Sequence, residues 1–173
     1  MLPLIFSFPN GSRKDWVRAS IAGLLLGAGF VFYALGLIVS SVTKTVVLFY
    51  MTPIWSTIFA YFVINERVGL ARWLAIFGGI FGCALVMDLN GQTIHFNAAD
   101  LLGLFSGVFW ALGSVTVRRF NKINFLHVTF LQYLFGGVMA VGAVIYIGDS
   151  TPAVDTLLRA APVAFLTSAF IFL

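Results

Sequence analysis

The sequence predicts an all-α protein: a polytopic transmembrane helix bundle with about five full spans and a truncated sixth. Three observations carry that. Of the 173 residues, 61% are hydrophobic and only 9% are charged, against about 25% charged in a soluble domain. So few charges cannot cover a water-facing exterior. The apolar runs are about 20 residues long, enough to cross hydrocarbon at about 1.5 Å per residue, and they lack the alternation of a β-barrel. The basic residues lie between the runs, where orientation signals belong.

The elements follow in order. Met1–Phe8 is a short apolar piece with its positive charges after it. A secretory signal has them before, so this piece reads as the tail of a helix or an interfacial segment. Ala19–Ser40 is the first span. The turn Ser41–Lys44 leads into the second, which ends at Ile64. Asn65–Leu70 is a charged loop. Ala71–Met87 is a glycine-rich third span, and Asp88–Ala99 is a polar connector. Asp100–Val117 is the fourth span, Arg118–Phe125 a basic loop, and Leu126–Ile147 the fifth span. Gly148–Asp155 is a loop. Ala160 opens a sixth run of about 14 residues, about 21 Å of a core about 30 Å thick. The chain therefore reads as a fragment of a longer protein.

If the spans alternate, Arg13, Lys14, Arg18, Arg67, Arg72, Arg118, Arg119 and Lys122 fall on one side. Lys44 and Arg159 fall on the other. The positive-inside rule places the loops bearing Arg13, Arg67 and Arg118 in the cytoplasm of a cell's inner (plasma) membrane. The net charge of +4 thus sets orientation and does not imply nucleic acid. The single cysteine, Cys83, lies in an apolar run and reads as a packing residue, so neither a disulfide framework nor a metal cluster is expected. His95 and His127 fall on opposite sides. They share no metal or catalytic site and read as surface or interfacial residues. No phosphate-binding loop is present, and no cofactor is expected.

The second span carries Pro53 at its centre, in the stretch VTKTVVLFYMTPIWSTIFAYFVINER. A proline frees the carbonyl four residues back, here that of Phe49, and such a break must be buried in protein or line a cavity. With residues placed at about 100° intervals, Leu48, Met51, Trp55, Ile58, Phe59 and Phe62 form a lipid face. Val46, Tyr50, Pro53, Ser56, Thr57 and Ala60 form an inward face. In the fourth span Leu101, Leu104, Phe105, Val108, Leu112 and Val115 face lipid, opposite Gly103, Ser106, Gly107, Trp110, Gly113 and Ser114. The pairs Gly23–Gly27, Gly78–Gly82 and Gly103–Gly107 have the spacing that lets helices approach closely.

Tyr33, Tyr50, Pro53, Thr57, Trp110 and Ser114 are candidates to line a substrate path. Ordinary interhelical packing is the competing reading. Pro53 is a hinge or a static kink. Glu66 and Arg67 sit at a span end near water, and read as a structural pair that fixes the loop rather than as a proton carrier. Ser106 and Ser114 lack a mid-span histidine or lysine, so an intramembrane hydrolase is a remote reading.

The segments ALGLIVSSVTKT, FYMTPIW, INERVGL and AIFGGIFGCALVM, in that order, resemble the EamA-type half of the drug/metabolite transporter superfamily. Asp100-Leu101-Leu102-Gly103 to Val117-Arg118-Arg119 looks like the opening helix of a second half. The resemblance runs from about Ala19 to Ile147. It implies two five-helix repeats of opposite orientation, of which this chain holds helices three to seven and part of eight. Residues 1–88 would be the C-terminal part of the first repeat, 89–99 an extracytoplasmic connector, and 100–173 the truncated start of the second. It also implies a non-enzymatic membrane protein that moves small organic metabolites, such as amino acids or related compounds, by alternating access, with export as the expected direction. The partners implied are the lipid bilayer and a small-molecule substrate; self-association is open. The alternative is a transport-incompetent fragment, or a half-protein that needs a partner.

Overall fold

The computed structural model describes residues 12–66, 69–89, 97–120 and 123–147. The N-terminal apolar piece, Arg67, His95 with most of the connector, Lys122 and the sixth run lie outside the described residues. The described residues form six helices: α1 (Arg13–Val39), α2 (Val42–Phe49), α3 (Thr52–Ile64), α4 (Leu70–Leu89), α5 (Asp100–Arg119) and α6 (Phe125–Ile147). The described residues contain no strand. In hydrocarbon the backbone must satisfy its own hydrogen bonds, and helices do so within one segment. Four stretches of described residues are long and apolar enough to cross a membrane: α1, α2 with α3, α5, and Phe125–Ala143 of α6. At 20 residues, α4 is as long as α5. The protein is a multi-pass membrane helix bundle.

The chain divides into two compact units, Met1–Gly137 and Val138–Leu173. The described part of the second unit is the continuation of α6 to Ile147. Within the first unit α5 is the central helix, packed along α1 and against α2 and α3. Ala19, Ala22 and Leu26 of α1 join Val128 and Leu131 of α6 in an apolar core, flanked by Trp16 and Trp110. Gly23 allows that contact, because a Cβ there would lie 2.9 Å from the Gln132 nitrogen.

Contacts at the helix ends fix their directions. The Arg18 guanidinium lies 5.1 Å from the centre of the Phe120 ring. Glu66 pairs with Arg118 at 3.1 Å, and the Arg119 guanidinium donates to the Val63 carbonyl. The Trp16 and His127 rings are 4.2 Å apart. The start of α1, the end of α3, the end of α5 and the start of α6 therefore share one end of the bundle. At the opposite end the α1–α2 turn meets the head of α5 through Ser40, Lys44 and Asp100.

Four expectations change. The second span is two helices, broken at Tyr50–Met51. Val115, assigned to lipid, is 0% exposed, because α5 is covered on more than one side. His127, read as a surface residue, is 1% exposed beneath Trp16, since α6 starts against α1. Gly78 and Gly82 do not make a close approach among the described residues: a Cβ on either would meet nothing within 4 Å.

Candidate functional site

The break in the second span is built locally. Tyr50 and Met51 have ψ of −6° and −3°, where a helix has about −42°. The Met51 N–H reaches back only three residues, to the Leu48 carbonyl at 3.2 Å. Pro53 then falls at the start of α3, where its missing donor costs nothing. The carbonyl that proline frees, that of Phe49, accepts the Thr52 hydroxyl. The broken turn also rests on α5 at Gly107, where a Cβ would lie 3.2 Å from both the Phe49 carbonyl oxygen and the Thr52 hydroxyl. Any larger residue would push the break away.

The break shifts the phase of the helix. Thr57 and Ala60 of α3 are buried, as the wheel predicts. In α2, however, Thr45 is buried, and Leu48 and the Phe49 carbonyl pack on Gly103 and Gly107. That face is about one residue step, or about 100°, from the predicted one. Tyr50 and Pro53, expected to point inward, are exposed, Tyr50 by 63%. The physical reason is that one wheel cannot be drawn through a broken turn. The freed carbonyl needs no neighbouring helix either, because Thr52 already serves it.

Three of the candidate path residues meet around one ring. Phe49 lies 4.8 Å from Tyr33, 6.2 Å from Tyr50 and 6.1 Å from Trp110, centroid to centroid. Such a cluster offers ring faces, ring edges and two phenol hydroxyls, groups suited to planar or cationic organic molecules. Thr57 and Ser114 are not part of it. The Thr57 hydroxyl donates to the Pro53 carbonyl at 2.7 Å and that of Ser114 to the Trp110 carbonyl at 2.8 Å. The Ser106 hydroxyl likewise donates to the Gly103 carbonyl at 2.6 Å. Each of these serines bonds to its own helix rather than to a catalytic base.

Two polar groupings were not read from the sequence as they stand. Glu66 pairs with Arg118 on α5, while Arg67, its expected partner, lies outside the described residues. The helix end positions it: Asn65 turns left-handed at φ 56°, and the Glu66 N–H closes on the Ala60 carbonyl at 3.2 Å. At the other end Asp100, 1% exposed, accepts the Ser40 hydroxyl. It also accepts the Lys44 ammonium at 3.3 Å and the Asn97 N–H at 2.9 Å. A signal was available. Lys44 is one of only two basic residues on its side of the spans, and Asp100 opens a span on that same side. Phe49 at the centre of the aromatic cluster carried no such signal.

Discontinuous membrane helices form the substrate sites of many secondary transporters, and the span from Val42 to Ile64 is discontinuous at Tyr50–Met51. This chain belongs to the EamA-like transporter family, whose profile matches residues 1–88, just over half of its 173 residues. An uncharacterized transporter of Bacillus subtilis, YoaV, is 25% identical over 132 residues, 73% of this chain and 45% of its own. The S-adenosylmethionine uptake transporter of Rickettsia felis is 29% identical over 123 residues, 69% of this chain and 41% of its own. The riboflavin transporter of Vibrio cholerae is 31% identical over 71 residues, 41% of this chain and 23% of its own. The chain thus spans less than half the length of these curated relatives. They are named as transporters, not enzymes. No solved structure matches.

Proposed function

We propose that this chain forms part of a transporter for small organic molecules, and that cargo passes beside the α2–α3 break. The broken helix is the observation that carries this reading. Transporter cargo sites near the bilayer midplane are typically formed by discontinuous membrane helices, and the α2–α3 span is discontinuous at Tyr50–Met51. Tyr33, Phe49, Tyr50 and Trp110 are assigned to the cargo surface. Pro53 sets the break. Thr57 and Ser114 line the same seam without a free hydroxyl.

The cargo class proposed is an amino acid or related compound. S-adenosylmethionine, the cargo in the name of a relative, falls within it, being an amino-acid derivative with a cationic centre and a planar base. Export is the direction the superfamily resemblance implies; uptake is the direction in the names of the Rickettsia relatives. The proposed location is the inner (plasma) membrane, with the Arg13 and Arg118 ends in the cytoplasm. The shared position of those ends supports it. The proposed division into the end of one repeat and the start of the next rests on the 1–88 match.

The test is flux in both directions across vesicles containing the chain, with labelled S-adenosylmethionine, riboflavin and amino acids. Flux above empty vesicles, lost in Tyr50→Ala and Trp110→Ala, is the expected result. No flux of any compound overturns transport by this chain and favours the half-protein that needs a partner.

A further inference from the structure

The two ends of α5 are tied to the first three helices in opposite ways. At its head, Asp100 and Lys44 form an ion pair at 3.3 Å with side chains 2% and 16% exposed. The Ser40 hydroxyl and the Asn97 N–H complete the carboxylate's partners. The backbones are also pressed together there. A Cβ on Gly103 would lie 3.0 Å from the Thr45 Cα, and one on Gly36 would lie 2.7 Å from the Thr45 Cγ2. At its tail, the Glu66–Arg118 pair is 38% and 43% exposed, backed by the exposed bond from Arg119 to the Val63 carbonyl. Between these ties lies the Tyr50–Met51 break.

A desolvated ion pair holds its geometry, because separating it leaves uncompensated charge. A half-exposed pair is weak and is screened by salt. We propose that α2 and α5 move as one body, clasped at Asp100. The α3 helix is then an arm that swings about the Tyr50–Met51 turn. Glu66–Arg118 is the latch that holds the arm closed. The α3–α5 seam therefore parts at the end that carries Arg18 and Arg118, while the α2–α5 contact at the Asp100 end stays shut, with the aromatic cluster at the hinge between them. This rests on the transporter reading for its purpose, but its mechanics can be tested without cargo.

Two spin-label pairs on the full chain in lipid, in a Cys83→Ala background, decide it. One pair, Val17→Cys with Phe62→Cys, spans the latch end. The other, Val42→Cys with Leu101→Cys, spans the clasp end. Distance distributions are read by pulsed electron resonance, with labelled chain diluted into unlabelled chain. Raising salt to about 1 M shortens the screening length to about 3 Å and should add a longer population to the latch pair alone. Arg118→Gln at low salt should add the same population. The salt arm changes no latch residue, so it stands even if Arg118→Gln does not fold. An unchanged latch pair in high salt overturns the proposal, as does a clasp pair that lengthens as much. Parting without cargo flux leaves the mechanics standing and removes only transport by this chain alone.

Discussion

The α4 and α5 helices look alike in sequence and are used differently. Each is 20 residues long, and each carries small residues four apart, Gly78–Gly82 in one and Gly103–Gly107 in the other. On α5 the glycines are surfaces of contact. Gly103 lies against the Thr45 backbone, Gly107 against the broken turn, and Gly113 against Leu26. On α4, among the described residues, the space around Gly78, Gly79 and Gly82 is open, and Leu74, Phe77 and Phe81 are exposed. The spacing of small residues permits close approach; it does not supply a neighbour. Among the described residues, α5 meets helices on more than one side, and the main contact of α4 is with α2.

The largest break in that comparison should come at the head of α5. Asp100→Ala removes the buried carboxylate that accepts from Ser40, Lys44 and the Asn97 N–H, a loss of about 3–5 kcal/mol. Thermal unfolding in detergent should show it as the least stable of the variants named here. A melting point equal to the parent's would mean that the clasp holds nothing. Gly103→Leu comes next. Its side chain must displace the Thr45 backbone, an overpacking cost of about 1–3 kcal/mol. Gly78→Leu, the matched change on α4, should stay within about 0.5 kcal/mol of the parent. Equal losses at the two glycines would erase the distinction between the helices. At the tail of α5, Glu66→Gln should cost only about 0.2–1 kcal/mol, because the pair is half exposed. A loss as large as that of Asp100→Ala would contradict the contrast between its two ends. Orientation has its own test. A reporter fused after Asn97 should lie outside the cytoplasm, and a cytoplasmic signal would reverse the assignment.

The sorting of faces was legible where a helix is continuous. In α5 the expected inner positions Gly103, Ser106, Gly107 and Gly113 are buried and Leu101 and Phe105 are exposed, with Val115 the miss, buried because neighbours cover α5 on more than one side. It failed across Pro53, where a tightened turn resets the phase and leaves Tyr50 outside. The site was partly legible for a related reason. Aromatic residue type marked Tyr33, Tyr50 and Trp110, but their meeting at Phe49 depends on how α1, α2 and α5 pack. Glu66 was marked by its charge. Its partner on α5 lies 52 residues away, beyond what local spacing can reveal.

The sequence by itself determined that this is a membrane helix bundle. The length and apolarity of a span are properties of one segment in hydrocarbon and need no partner to be expressed. The grouping of its basic residues is also readable in one dimension. Tertiary structure decided which glycine-bearing helix is central, that the proline span is two helices, and that Asp100 is held by Ser40 and Lys44 while Glu66 reaches Arg118. Those are choices of neighbour. They follow from packing and charge pairing between segments far apart in the chain, which no single segment carries.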